Sequence, residues 1–356
     1  MSRPAVFIRL KTRLYRAMVK EDTAGQGRHV DPADPATPPP QTEAWNAARR
    51  RAGQSAAMRA FTDSLRPPGG GAVRDGVIAD LAEYHGISEG LVVERCLDWE
   101  AESVREWQSR PRDTTDGLAE FYDSVESWSF DLLWYAYLQT AGYAYPHSVV
   151  VADALGAVTG SGRMLDLGSG AGVTAQMFAA LGWEVTLADA SATLLTFAQW
   201  RHKRRGLEAG YIHLPADLPA DLPDAAFDLI TALDVLMLVP DIADTAARLH
   251  RALRPGGLLV GNFDVRRPSD TNAWHRYEDD LPLRWAIERA GFAPVQVVDG
   301  VMRIYRAVPA EGPAARLRTA LAWARLASPP VRGLRGGRHI LLRGVLHARN
   351  RLRSRR

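Results

Sequence analysis

Met164-Leu165-Asp166-Leu167-Gly168-Ser169-Gly170-Ala171-Gly172-Val173 is the stretch that decides the fold. A short apolar run meets three glycines at alternate positions, and a helical pattern (174–181) follows at once. A strand that enters a helix through a glycine-rich turn is half of a parallel β-α-β unit. The glycines let the backbone turn sharply and approach a ligand closely. Outward from this point, apolar runs at 184–188, 211–214, 227–233, 258–262, 295–298 and 302–308 read as further strands. Helical patterns at 192–205, 242–253 and 281–290 lie between them. Strand and helix in alternation predict an α/β sheet covered on both faces. Only Asp299-Gly300-Val301 separates the last two strands, too little for a helical crossover, so they should pair as an antiparallel hairpin.

Carboxylates mark the ends of these strands. Asp189 stands 17 residues after Gly172 at the end of the second strand, where it can accept from both hydroxyls of a ribose. Asp217-Leu218 follows the third strand and Leu233-Asp234 the fourth. Open α/β sheets bind ligands at this carboxyl edge. Val173 stands where the last glycine of a dinucleotide fingerprint would fall, and the spacing is D-x-G-x-G-x-G.

This pattern resembles motif I of the class I S-adenosylmethionine-dependent methyltransferases. Phe227-Asp228-Leu229-Ile230 is similar to the family's fourth-strand motif, and Leu253-Arg254-Pro255-Gly256-Gly257-Leu258-Leu259 to its turn into strand five. The resemblance spans 148–308. It implies a Rossmann-like, doubly wound, seven-stranded sheet with an antiparallel last strand, and S-adenosylmethionine as cofactor. On that likeness Asp166, Gly168, Ser169, Gly170 and Gly172 belong to the cofactor loop, with Asp166, Gly168 and Gly170 at the methionine end. Asp189 would hold the ribose, Ala190 would lie against the adenine, and Asp217 with the Leu218 N–H would read the adenine edge. Leu233 and Asp234 would face the methionine ammonium. Phe121-Tyr122-Asp123 resembles the tyrosine motif that closes over the cofactor, which makes Tyr122 a further contact.

The methyl acceptor is less legible. Many small-molecule members continue the fourth strand as D-V-L-E-H-V, whereas Met237 and Leu238 replace the Glu-His pair here. That removes a base and a metal-binding pair, and no metal is expected. The loop Asn272–Asp280 should overhang the site, with His275 the first choice of general base and Tyr277 the second. The helical segment 72–147 reads as a cap or lid, unusually rich in aromatics: Trp128, Phe130, Trp134, Tyr135, Tyr137, Tyr143 and Tyr145. Such a lid suits a small or medium organic acceptor (natural-product, sugar or lipid-like) methylated on oxygen or nitrogen.

Composition excludes other classes. At 46% hydrophobic and 24% charged residues the chain is neither disordered throughout nor fibrous. Its one cysteine, Cys96, forms no intramolecular disulfide. Residues 132–152 carry no charged side chain, yet Gln139, Gly142, Pro146, His147 and Ser148 interrupt them, so a buried soluble segment is expected rather than a membrane span. No signal-peptide pattern opens the chain, and a cytoplasmic protein is expected. Residues 1–71 form a basic arm with a Pro/Gly-rich linker, and 309–356 an arginine-rich tail whose apolar residues alternate with arginines as in interfacial helices. The tail suggests peripheral docking to an anionic membrane surface at the inner face. Arginine outnumbers lysine throughout, which weakens arguments from arginine counts. Residues 80–97 resemble a helix-turn-helix and raise a nucleic-acid-binding or nucleic-acid methyltransferase alternative. The next helix carries Glu94, Asp98, Glu100 and Glu102, which phosphate would repel, and this argues against a nucleic-acid partner.

Overall fold

A computed structural model of the chain describes residues 47, 50–109, 114–156, 162–216, 221–263, 265 and 274–310, with parts of 312–322. Most of the expected basic arm before residue 50 and most of the tail lie outside the described residues. Among the described residues, these helices precede the first strand: α1 (Ala56–Leu65), α2 (Val73–His85), α3 (Glu89–Ser109), α4 (Thr115–Ser124), α5 (Ser127–Thr140) and α6 (His147–Gly156). Then come β1 (Arg163–Leu167), α7 (Val173–Ala180), β2 (Glu184–Asp189), α8 (Ala192–Arg204), β3 (Gly210–His213), β4 (Phe227–Ala232), α9 (Ile242–Ala252), β5 (Leu253–Asn262), α10 (Leu281–Arg289), β6 (Phe292–Val298) and β7 (Met302–Ala307).

Local chemistry sets the helix ends. Ser55, Thr114, Ser191 and Asp241 accept backbone N–H bonds as N-caps of α1, α4, α8 and α9. Gly86, in the left-handed region, stops α2, and Ser88 accepts from the Leu91 N–H at the start of α3. The alanine-rich run at 44–65 is interrupted by a turn at Gly53-Gln54 before α1, and the aromatic run 118–128 breaks at Val125-Glu126 between α4 and α5.

The seven strands lie in the order β3-β2-β1-β4-β5-β7-β6. β1 pairs in parallel with β2 and β4, and β7 is antiparallel to both β5 and β6. The expected terminal hairpin is therefore present, with β7 inserted next to β5. Strand five begins five residues earlier than the sequence suggests, because Leu253 already pairs with Phe227. The register then shifts to Leu229–Leu258, and the Arg254–Gly257 turn survives as an exposed bulge.

Alternating strand residues feed two cores. Met164, Val185, Leu187, Leu229 and Val260 face α7, α8 and the N-terminal helices, while Leu165, Leu167, Ile230 and Leu259 face α9 and α10. Phe61 and Leu65 of α1 lie in the first of these cores, and α1 packs against α6 and α7. The cap and the sheet thus share one apolar interior. A buried ion cluster adds to it: Arg201 on α8 donates to Asp80 on α2, to the Ala171 carbonyl and to the Ser64 carbonyl.

Candidate functional site

The strand order reverses between β1 and β4, and that opens a crevice at their carboxyl ends. Asp166 sits on β1 directly across from Thr231 of β4, whose hydroxyl donates to it at 2.7 Å. Burial pushes the Asp166 carboxyl up to about 7, against the Thr231 bond, with the nearby Asp189 charge raising it further.

The glycine turn follows. Gly168 has φ +66°, and an added Cβ would stand 2.1 Å from a Val235 methyl, so the turn rests directly on the segment after β4. Gly170 has φ +50° and lies under the Leu132 side chain of α5. Gly172 instead faces Ala198, Leu187 and His202, so it serves the packing of α8 on β2. Ser169 Oγ is buried and has no hydrogen-bond partner among the described residues.

Asp189 ends β2 with its carboxylate inside the turn, where Oδ2 accepts from the Gly170 N–H at 2.8 Å and Oδ1 from the Ser191 N–H at 2.9 Å. Burial raises its pKa against these bonds. Ala190 follows, and its carbonyl lies 3.2 Å from His213 Nε2. Leu233 is half-buried beyond β4, and Asp234 has φ +56°. Its left-handed backbone is held by Asn262, which accepts from the Asp234 N–H at 2.7 Å and donates to its carboxylate. Asp217 and Leu218 lie outside the described residues.

The cap closes over this edge. Tyr122 of α4 is affected by both the Asp189 and Arg276 charges, while burial raises its pKa. Asp123 next to it latches the lid: its carboxylate accepts from the Ala192 N–H at 3.0 Å and lies 3.2 Å from His213 Nε2. Trp128 reaches the same place, with its ring centroid 5.7 Å from that of Tyr122. Phe130, Trp134 and Tyr145 are core residues, and Tyr143 is exposed.

His275 is half-buried in the loop that follows β5. Beside it, Tyr277 donates its hydroxyl to the Val239 carbonyl at 3.1 Å, and burial raises its pKa, so it is held as a neutral phenol. Among the described residues no group of three His, Cys, Asp or Glu side chains is arranged to hold a metal ion.

Asp166 and Asp189 therefore lie at the glycine turn, and Asp234 lies next to Val235, which rests on it. Thr231, Asn262, Asp123 and Arg276 were missed as site residues. Asn262 is the last residue of an expected strand, the place where functional side chains collect, and so left a faint signal.

A family model described as a methyltransferase domain matches residues 165–261, which hold the turn, Asp189, Asp234 and Asn262. Residues 165–261 form a methyltransferase domain. This domain is similar to the ubiquinone biosynthesis O-methyltransferase of Alkalilimnicola ehrlichii, 34% identical over 118 residues, or 33% of this chain and 47% of that enzyme. The enzyme of the same name from Ruegeria pomeroyi is 34% identical over 123 residues, 35% of this chain and 49% of the other. The chain spans about half the length of these relatives. A solved S-adenosylmethionine-dependent methyltransferase from Mesorhizobium loti is 23% identical, covering 43% of this chain and 96% of the other, with a TM-score of 0.35.

Proposed function

We propose that the chain transfers a methyl group from S-adenosylmethionine to a hydroxyl of a small or medium organic acceptor. One observation carries the reading: at the topological switch point Asp189 accepts from the Gly170 N–H of the glycine turn, Asp166 ends the strand that enters that turn, and Val235, next to Asp234, rests on Gly168. The residues fit the cofactor. Ser169 Oγ is a buried donor with a lone pair to offer, and the carboxylate of Asp189 keeps acceptor capacity beyond its backbone bonds.

Bound S-adenosylmethionine supplies a methyl already activated on sulfur. The chain's own work is alignment and exclusion of water. Asp189 accepts the ribose hydroxyls, with Asp217 and Leu218 at the adenine, and Asp166 and Asp234 face the methionine ammonium. Tyr122 and the latched α4 cover the crevice. His275 takes the acceptor proton. Tyr277 is the weaker base, because its hydroxyl is engaged as a donor. The relatives' name speaks for oxygen as the methylated atom.

We further infer that residues 309–356 dock the enzyme to an anionic membrane. Among the helical residues described there, Ala315 and Ala322 are buried while Leu317 and Leu321 are exposed, which supports an outward apolar face. No helix among the described residues is long and apolar enough to cross a membrane.

Calorimetry with S-adenosylmethionine and S-adenosylhomocysteine tests the first reading, and failure to bind either at millimolar concentration overturns it. Mass-labelled methyl transfer to phenolic acceptors follows, and His275→Ala should lower turnover by about 100-fold with cofactor affinity unchanged. For the tail, a chain ending at Pro309 should lose sedimentation with anionic vesicles. Equal sedimentation of both forms refutes the docking.

A further inference from the structure

We propose that Arg276, with the rings of Trp107, Phe121, Tyr122, Trp128 and Trp274, forms an acceptor subsite for a planar molecule that carries a carboxylate. The inference rests on the methyltransferase reading and names the substrate class of that site.

Arg276 is tethered twice. Its backbone N–H donates to the Met237 carbonyl at 3.2 Å, and its Nε–H to the Leu238 carbonyl at 2.9 Å. Both carbonyls belong to the segment that leaves β4 just past Asp234, so the guanidinium is fixed at the carboxyl edge of the sheet. The tether uses Nε and leaves the two terminal nitrogens, the pair that grips a carboxylate in parallel. Among the described residues no carboxylate pairs with Arg276. Other arginines of the domain are committed: Arg284 and Arg303 to Asp280, Arg254 to Asp228, and Arg201 and Arg205 to Asp80. An exposed, backbone-anchored guanidinium with no counterion among the described residues is placed for an anion from outside.

The aromatics supply the rest. Tyr122 of the cap feels both the Arg276 and Asp189 charges. From Tyr122 the rings run without a gap to Trp128 at 5.7 Å, Phe121 at 5.6 Å, Trp107 at 5.0 Å and Trp274 at 5.8 Å between successive centroids. Trp274 is two residues from Arg276, so the arc ends where the cation stands. Phe121 is buried and holds the arc together, while the other four rings are partly open to solvent. Aromatic faces beside one fixed cation select a flat acceptor with a single negative charge. One guanidinium, with the Asp189 and Asp123 carboxylates nearby, matches a monoanion better than a phosphate dianion.

The test is calorimetry on the full chain saturated with S-adenosylhomocysteine. The probes are 3,4-dihydroxybenzoate and 4-methylcatechol, which share the ring and both hydroxyls and differ in the carboxylate. The parent should bind the carboxylate probe about 10-fold or more tightly than the neutral one, as one charge-assisted pair supplies. Arg276→Gln should erase that preference and leave 4-methylcatechol unaffected, and Arg276→Lys should restore part of it. Equal affinity of the parent for the two probes, binding of neither at millimolar concentration, or a preference that persists in Arg276→Gln overturns the proposal. The titration with S-adenosylhomocysteine separates the two readings. Failure there removes the methyltransferase reading, and the two probes are then compared without it. Normal binding there, with no carboxylate preference, removes this inference alone.

Discussion

Replacing Asp80 with alanine should destabilise the whole protein and loosen the cofactor turn, although Asp80 lies far from the chemistry. Asp80 and Arg201 are 1% and 0% exposed in their side chains. One carboxylate oxygen accepts from Arg201 Nε at 3.0 Å and Arg205 Nη2 at 2.7 Å, and the other lies 3.5 Å from Arg204 Nε. Removing one partner of a buried pair typically costs about 3–5 kcal/mol, because the remaining charge stays buried without compensation. Here Arg201 keeps its bonds to the Ala171 and Ser64 carbonyls, and Arg204 is part-exposed, so the low end, about 3 kcal/mol, applies. Burial already lowers the Arg201 pKa to about 10, in the direction that an uncompensated site would drive further. At about 2–4 °C per kcal/mol, the melting midpoint should fall by about 6–12 °C.

Urea unfolding followed by tryptophan fluorescence measures the loss, and calorimetry measures S-adenosylhomocysteine binding. A second variant separates scaffold from site. Asp80→Leu with Arg201→Met exchanges that pair for apolar bulk and should cost less stability than Asp80→Ala, the remaining loss coming from Arg205, which still loses its carboxylate. It also removes the donor that holds the Ala171 carbonyl, so cofactor affinity should fall further than the smaller drop in the midpoint accounts for. A loss under about 1 kcal/mol in Asp80→Ala would refute the claim that this pair is sealed from water. Unchanged cofactor affinity in the double variant would refute the link from cap to turn.

Three further outcomes follow from the site. Asp189→Ala should weaken S-adenosylmethionine binding by about 1.5–3 kcal/mol through lost charge-assisted bonds to the ribose, read by calorimetry. Asp166 carries a raised pKa of about 7, so the native state binds its proton more tightly than the unfolded chain does. Its contribution to stability is full below the ordinary aspartate value of about 4 and is lost as pH rises through 7. Thermal melts of the ligand-free protein should therefore fall relative to Asp166→Asn between those pH values and run parallel above them. Gly168→Ala should abolish cofactor binding and lower the melting midpoint, since its Cβ would meet Val235 at 2.1 Å in a left-handed backbone. Normal binding by that variant would mean the turn is free to move off Val235.

How much of this was legible follows the range of the interactions. The turn at 168–172, the carboxylate of Asp189 and the alternating strands are local patterns, so residue spacing alone exposed them. The bonds that shape the site are long-range. Asp234 finds Asn262 28 residues away, the Ala192 N–H finds Asp123 69 residues back, and Arg201 finds Asp80 121 residues back. No periodicity encodes such pairs, because either partner alone reads as an ordinary loop or helix residue. The seven cap aromatics divide between core and surface for a related reason. Composition shows that rings are abundant, but helix orientation decides that Phe130 and Trp134 fill the core while Trp128 reaches the crevice.

Residues 80–97 make the same point from the other side. Alanine, glycine and serine at those offsets do encode two helices joined by a tight turn, and α2, Gly86 and α3 form it. What the hairpin does depends on partners outside it. Asp80 is turned inward onto three arginines of α8, one of which holds the glycine turn, and Val92 and Cys96 of α3 are buried. A recognition helix needs a free face with basic side chains toward phosphate, whereas the described ion pairs of α3 join Arg95 to Glu102 and Glu126, and Arg105 to Asp98. The motif thus specifies a shape, and the charges packed against that shape give it a structural duty: through Arg201 it ties the cap to the glycine turn.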